Sequence, residues 1–424
     1  MTWFLLKGLL RDRHRSILPV IVIAAGVAVT ILMYCYLLGF VDDTARTSAK
    51  LDTGHVKIMT QAYAEISDQI PNDLALSGVN KLLSDLKAKY PNLDWAARIK
   101  FGGLLDFPDE EGETRAQGPV FGLALDLLTQ DSKENERLNL EGALVQGRLP
   151  ESPGEILVSE KFAQNLGVKI GEMATLISST TTGSMAVQNF ILVGTLNFGI
   201  GPMDRNAMVA DMSDIQYALD MEDGAGEILG YFPNLVFNKE AAEEIANEYN
   251  SVNKKTDDDF SPVMITLRDQ NGLGELMDMI EIEAFIIVAG FIFVMSIVLW
   301  NTGLMSGLRR YGEVGVRLAF GEAKSHVYRS MIHEAILIGL FGSVIGTVIG
   351  LAGAFYLQEH GLDFSGMTKG STMLMSNIMR AKITPASYFI GFIPGLLATV
   401  IGTLISGIGI FRRQTSQLFK ELET

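Results

Sequence analysis

Four apolar runs constrain this chain more than any other feature. They are Ile17–Val41, Ala284–Leu304, Ala335–Leu357 and Tyr388–Phe411. Each is long enough to cross a ~30 Å hydrocarbon core, which takes roughly 20 helical residues. The first run exceeds the apolar stretch of a signal peptide, and no small-residue cleavage site follows "YCYLLGFVDD". A retained anchor is therefore expected. Residues 42–280, between the first and second runs, have an ordinary globular composition. The fold class that follows is a membrane protein with four transmembrane α-helices and one large α+β domain outside the bilayer.

Basic residues set the orientation, because Lys and Arg concentrate on the cytoplasmic side. The N-terminal flank carries Lys7, Arg11, Arg13 and Arg15. The loop between the second and third runs carries Arg309, Arg310, Arg317, Lys324 and Arg329, and the tail carries Arg412, Arg413 and Lys420. With four spans these three segments share one side. Residues 42–280 hold 19 Lys and Arg against 39 Asp and Glu, which places them opposite. The termini are expected to be cytoplasmic and the large domain extracytoplasmic. Its acidity argues against nucleic-acid binding, which needs a basic footprint. Cys35, the sole cysteine, lies in the first run, so the outer domain has no disulfide.

The expected organisation is an interfacial amphipathic helix (1–16), a first span (17–41), the outer domain (42–280) and a second span (281–304). A cytoplasmic loop (305–330), a third span (331–357), an outer loop (358–386), a fourth span (387–411) and a tail (412–424) follow. Within the outer domain, "GHVKIMT" reads as a strand and "NKLLSDLKAKYPN" as a helix. "GEILVSEKFAQNLGV" reads as a strand and a helix closed by Gly167, while "MATLISS" and "VQNFILVGTL" read as a hairpin. "SDIQYALDM" reads as a helix capped by Ser213, and "LVFNKEAAEEIANEYN" as a strand running into a helix. The first and last groups have β-α-β character. They suggest a split βαβ, porter-like unit with halves at about 52–120 and 231–270 and an insert at about 121–230.

The chain contains no Gly-Lys pair, so it has no Walker A loop to cradle nucleotide phosphates. No H-E-x-x-H, C-x-x-C or nucleophile-elbow pattern occurs, and the five histidines are scattered. A non-catalytic membrane subunit is expected, with no metal or cofactor of its own. The span centres are nearly free of ionisable groups, unlike those of a proton relay. In the third span Gly342, Gly346 and Gly350 make two small-xxx-small steps, which allow close helix approach. That approach fits either this chain's own spans or a partner. Pro394 is expected to kink the fourth span.

The loop "RRYGEVGVRLAFGEAKSHV" (309–327) is too patterned for an inert connection. Val314, Val316, Leu318, Ala319 and Phe320 interleave with Glu313, Arg317 and Glu322. "EVGVRLAFG" resembles the stretch after the second span in FtsX-like, MacB-type ABC transporter permeases. The layout of four spans with a large domain after the first resembles that family along nearly the whole chain. "GRLPESPGEILVSEKFAQNLGVKIGE" (147–172) and "VGTLNFGIGPMDRNAMVADMSDIQYAL" (193–219) look most like its lipoprotein-releasing (LolC/LolE-like) branch. The tail departs from the family pattern, keeping only Arg412, Arg413 and Leu418 or Leu422.

The resemblance implies that the loop is a coupling helix docking on a separate ATPase subunit. Arg310, Glu313, Gly315, Arg317, Leu318, Phe320 and Gly321 would carry that contact. ATP and Mg would be bound by the partner ATPase, two per complex, beside a second permease copy or paralogue. The location implied is the bacterial inner membrane, with the large domain periplasmic. Hydrolysis would move the outer domain and extract lipoproteins or lipids from the outer leaflet. Acyl chains would enter between first and second spans near Leu37, Leu38, Phe40, Val41, Phe285 and Ile286. Rival readings are an efflux permease with a periplasmic adaptor and outer-membrane duct, or a signalling permease that activates a cell-wall hydrolase. A periplasmic lipoprotein carrier would mark the first reading.

Overall fold

A computed structural model describes residues 13–199, 201, 203–255, 258–308, 311–363 and 378–412. The expected amphipathic helix (1–16) falls mostly outside the described residues, as do Arg310, much of the 358–386 loop and nearly all of the tail. The chain divides into two compact units. One comprises Met1–Val41, Asp278–Leu362 and Met379–Thr424, and the other Asp42–Met277 and Asp363–Ile378.

Three long helices and a shorter, interrupted one dominate the first unit. Helix α1 (Arg13–Ser48) carries the first span and runs on beyond it, as "DDTARTSAK" contains no helix breaker. Helix α4 (Leu273–Leu308) carries the second span and α6 (Lys324–His360) the third. The fourth begins irregularly. Pro394 has no N–H to give, and Ile393–Ala398 forms a π-turn before helix α7 (Thr399–Arg412) continues. All four are long and apolar enough to cross a membrane.

The first span is the hub of this unit. Ile23, Val27, Ile31 and Cys35 pack with Leu299, Ile338, Ala354 and Ala398 from the other three. The three glycines of the third span lie against it. A Cβ on Gly342 would sit 2.7 Å from Ile23, one on Gly346 2.5 Å from the Ala24 carbonyl, and one on Gly350 3.0 Å from the Ala28 carbonyl. The close approach that their spacing allows is thus made within the chain. Gly391 and Gly395 of the fourth span bring it against Val27 in the same way. The second span is different, with only 11% of its most apolar window buried, against 39–44% for the others.

The second unit is built on ten strands. They are β1 (Val56–Thr60), β2 (Asp94–Pro108), β3 (Thr114–Leu125), β4 (Leu144–Gly147), β5 (Glu155–Ser159), β6 (Met173–Ser179), β7 (Met185–Leu196), β8 (Ala207–Asp211), β9 (Glu227–Tyr231) and β10 (Pro262–Thr266). Two β-α-β halves share a four-stranded antiparallel sheet in the order β10-β1-β9-β2. Helix α2 (Val79–Lys89) links β1 to β2, and α3 (Lys239–Asn253) links β9 to β10. This is the split βαβ arrangement.

Strand β2 is long because it serves two sheets. Its first residues pair with β9, while Ile99–Pro108 pair with β3. From there β2-β3-β8-β5-β7-β6 pair in sequence, and β6 returns to β2, closing a six-stranded barrel. Closure removes the exposed strand edges that would otherwise template aggregation. Ala186, Phe190 and Leu192 of β7 are buried, and Met185, Val187 and Ile191 alternate outward.

Several expected boundaries move. Pairing places β3 with the barrel and β9 with the βαβ sheet, so the insert spans roughly the second half of β2 through residue 226, not 121–230. The strand expected at 235–237 is absent. Its place in the sheet is taken by β9, and a short 3-10 turn at Pro233–Leu235 leads to α3, capped by Asn238. The helix Met212–Ala218 is capped by Asp211, which accepts from Ser213 N at 2.9 Å; Ser213 is a donor to the cap and not the cap itself.

Candidate functional site

The loop between the second and third spans contains one amphipathic helix, α5 (Tyr311–Ala319). Val314 and Leu318 are four residues apart and so share a face. That face packs on Val327 and Met331 of α6, with Val314 and Val327 almost fully buried. Val316 and Phe320 share another face. Val316 is 38% and Phe320 89% exposed. Among the described residues nothing covers this second face, and an exposed apolar stripe beside an anchored one is a candidate contact surface.

The end of α5 is fixed by backbone geometry. Gly321 has φ +88°, which L side chains rarely adopt. Gly321 N donates to Leu318 O at 3.0 Å and Glu322 N to Arg317 O at 3.2 Å. That pair of bonds is the Schellman closure of a helix. A bidentate ion pair reinforces it, with Arg317 Nε to Glu322 Oε2 at 2.7 Å and Arg317 Nη2 to Glu322 Oε1 at 2.8 Å. His326 Nε2 lies 3.6 Å from Glu322. The turn therefore holds Phe320 out in a fixed place.

Among the loop residues expected to form the contact, the structure assigns distinct positions. Gly315 and Leu318 face inward, Arg317 is committed to Glu322, and Phe320 and Gly321 are outward. Glu313 lies on α5, and Arg310 is outside the described residues. The residues expected to admit a substrate lie on two helices. Leu37, Leu38, Phe40 and Val41 on α1 are half-buried, while Phe285 and Ile286 on α4 are 73% and 62% exposed. Part of that end of α1 is covered by the segment before the fourth span, since Lys382 N donates to Cys35 O at 2.8 Å and Gly39 lies against the Arg380 carbonyl.

Residues 285–415 match the family model described as FtsX-like permease C-terminal. This part of the chain is an FtsX-like permease domain. It takes in α5 whole, with most of α4 and all of α6. The chain is 22% identical over 298 residues to the ABC transporter permease YtrF of Bacillus subtilis, covering 68% of this chain and 62% of that protein. It is 23% identical over 222 residues to the lipoprotein-releasing system transmembrane protein LolC of Haemophilus influenzae, covering 50% and 52%. It is 30% identical over 149 residues to the macrolide export ATP-binding/permease protein MacB of Mannheimia succiniciproducens, covering 34% and 22%. The chain thus spans between 22% and 62% of the length of these three relatives. The periplasmic region of MacB from Actinobacillus actinomycetemcomitans aligns with a TM-score of 0.35 at 13% identity, covering 54% of this chain and 95% of that one. These are FtsX/MacB-type ABC permeases with a LolC-like relative, and the permease domain described above is similar to them.

A second cluster, in the Asp42–Met277 unit, was not visible in the sequence. Lys57 Nζ lies 2.7 Å and Lys100 Nζ 3.1 Å from Glu227 Oε2. Lys100 also pairs with Asp52. Arg98, fully buried, bonds Glu134 at 2.7 Å, and Arg137 stacks over the Tyr231 ring at 4.0 Å. Burial opposes the Lys100 charge, but Glu227 and Asp52 outweigh it and raise its pKa. For Lys57 burial wins and lowers the pKa despite Glu227. Asp52, Lys57, Lys100 and Glu227 line a cleft of about 600 Å³ with Tyr63, Met59 and Phe121.

Proposed function

We propose that this chain is the membrane subunit of an ABC transporter whose ATPase subunits are separate chains. The observation that carries the reading is α5, a capped helix on the loop between second and third spans that presents Val316 and Phe320 outward. A groove on an ATPase would cover those side chains. ATP-driven closure of two ATPases would then push α5, the spans it joins and the long helices α1 and α4. In this reading the loop and termini are cytoplasmic and the α+β unit is periplasmic, in a bacterial inner membrane. ATP and Mg would stay with the partner chains, and the complex would hold two permeases, identical or paralogous.

The substrate reading is lipoprotein or lipid extracted from the outer leaflet. The poorly buried second span and the exposed Phe285 and Ile286 support it, because an acyl chain needs an apolar surface reachable from the bilayer. The LolC likeness adds to that support. Export through an adaptor and outer-membrane duct is the alternative, favoured by the MacB likeness. Purification from native membranes with mass spectrometry tests both. An ATPase with lipoprotein, lipid or a soluble carrier is the expected result. An ATPase with an adaptor and duct supports export, and no ATPase overturns the transporter reading.

A further inference from the structure

In the outer unit the first long helix ends in a widened turn, Ala49–Thr53, with π hydrogen bonding. Such turns are frequent at functional sites. This one is gripped from two directions. From strand β2, Arg98 Nη1 donates to Leu51 O at 3.0 Å and Lys100 pairs with Asp52. From the residues just before α4, Gln270 Nε2 donates to Thr53 O at 3.1 Å and Asn271 Nδ2 to Asp52 Oδ2 at 3.0 Å. Glu227 of β9 fixes Lys100 and Lys57 from behind. The end of one long helix, the approach to the other and the sheet thus meet at a single charge cluster.

Burying these ions is a poor way to gain stability, since desolvation offsets much of their mutual attraction and an apolar cluster would hold the sheet as well. Directional bonds supply a fixed geometry instead. Lys100 is shared between Asp52 on the turn and Glu227 on the sheet, so a displacement of the turn pulls on the sheet directly.

We propose that the Asp52–Lys100–Glu227 cluster, with Arg98, Gln270 and Asn271, is the joint that makes both long-helix ends and the βαβ sheet move as one body. The joint rests on the transporter reading, in which those helices carry the ATPase's motion outward. Lys100, Asp52 and Gln270 are its positioning residues.

The test uses the full chain purified from membranes with its partners, carrying spin labels at Leu276→Cys and Met185→Cys. Both positions are exposed, and the native Cys35 is buried. Pulsed electron–electron distance measurement should give a narrow distribution with the joint intact. Lys100→Met should broaden it at least twofold, Lys100→Arg should restore it, and Asn271→Ala, which removes only a surface hydrogen bond, should broaden it partially. ATPase co-purification should be unchanged in every variant. A narrow distribution in both Lys100→Met and Asn271→Ala overturns the joint. Absence of any ATPase from the unmutated preparation overturns the transporter reading instead.

Discussion

Phe320→Ala probes the proposed ATPase contact with little interference from folding. The side chain is 89% exposed, so truncating it should change the stability of the permease by no more than about 0.5 kcal/mol. Full burial of a Phe side chain in a partner groove contributes roughly 1.5–3 kcal/mol, of which alanine keeps only the Cβ share. A loss of about 2 kcal/mol corresponds to a roughly 30-fold weaker complex. Val316, on the same face and 38% exposed, has less to lose, so Val316→Ala should weaken binding by about threefold. The assay is titration of detergent-solubilised permease with its co-purified ATPase, followed by ATP hydrolysis and by direct binding. Unfolding of the permease is measured in parallel. Binding within threefold of the parent for Phe320→Ala would refute the docking argument, because the large apolar side chain held out by the Gly321 turn would then have no partner.

Gly321→Ala forces an L residue into φ +88° at the closure of α5 and should cost about 1 kcal/mol locally. Faster amide exchange across Tyr311–Ala319 checks it. Gly346→Val puts a Cβ 2.5 Å from the Ala24 carbonyl, a backbone atom that cannot step aside. It should cost about 1–3 kcal/mol, read as a lower midpoint of unfolding in mild detergent. His55 is fully buried between Phe232 and Phe237, and burial depresses its pKa to about 4. The unfolded chain therefore takes up its proton first, and stability is complete above about pH 6.5. It falls between about 6.5 and 4 by about 3 kcal/mol and then levels off. A His55→Phe variant should flatten that slope in a pH series of denaturant unfolding.

The spans were legible because a bilayer demands uninterrupted apolar length, and Ile17–Val41 or Ala335–Leu357 meets that demand without help from the rest of the chain. The split βαβ core was legible in part, since α2 and α3 carry their own amphipathic periods and α3 its own Asn238 cap. The barrel was not, because β2 gives no local sign that it changes partners after Arg98. Glu227 shows why strand placement failed. "EILGY" is short and flanked by glycine and proline, so nothing local sets it above "LVF", and only pairing with β1 and β2 makes it a strand. The ion cluster was equally hidden. Lys100 and Glu227 are 127 residues apart, and a lysine in "VKIMT" or "RIKFG" reads as the solvent side of a strand. In the loop, Gly321 and the apolar residues were visible as a pattern. The sorting into an anchored Val314–Leu318 face and a free Val316–Phe320 face required the position of Val327 and Met331.

The central claim is that α5 meets a nucleotide-hydrolysing partner through Phe320. Replacing Phe320 with a photoreactive benzoyl-phenylalanine in the native membrane, irradiating, and identifying the adducts by mass spectrometry tests it most directly. The account predicts one dominant adduct, to a soluble ATP-binding protein. Adducts only to lipid or to this chain itself would contradict it.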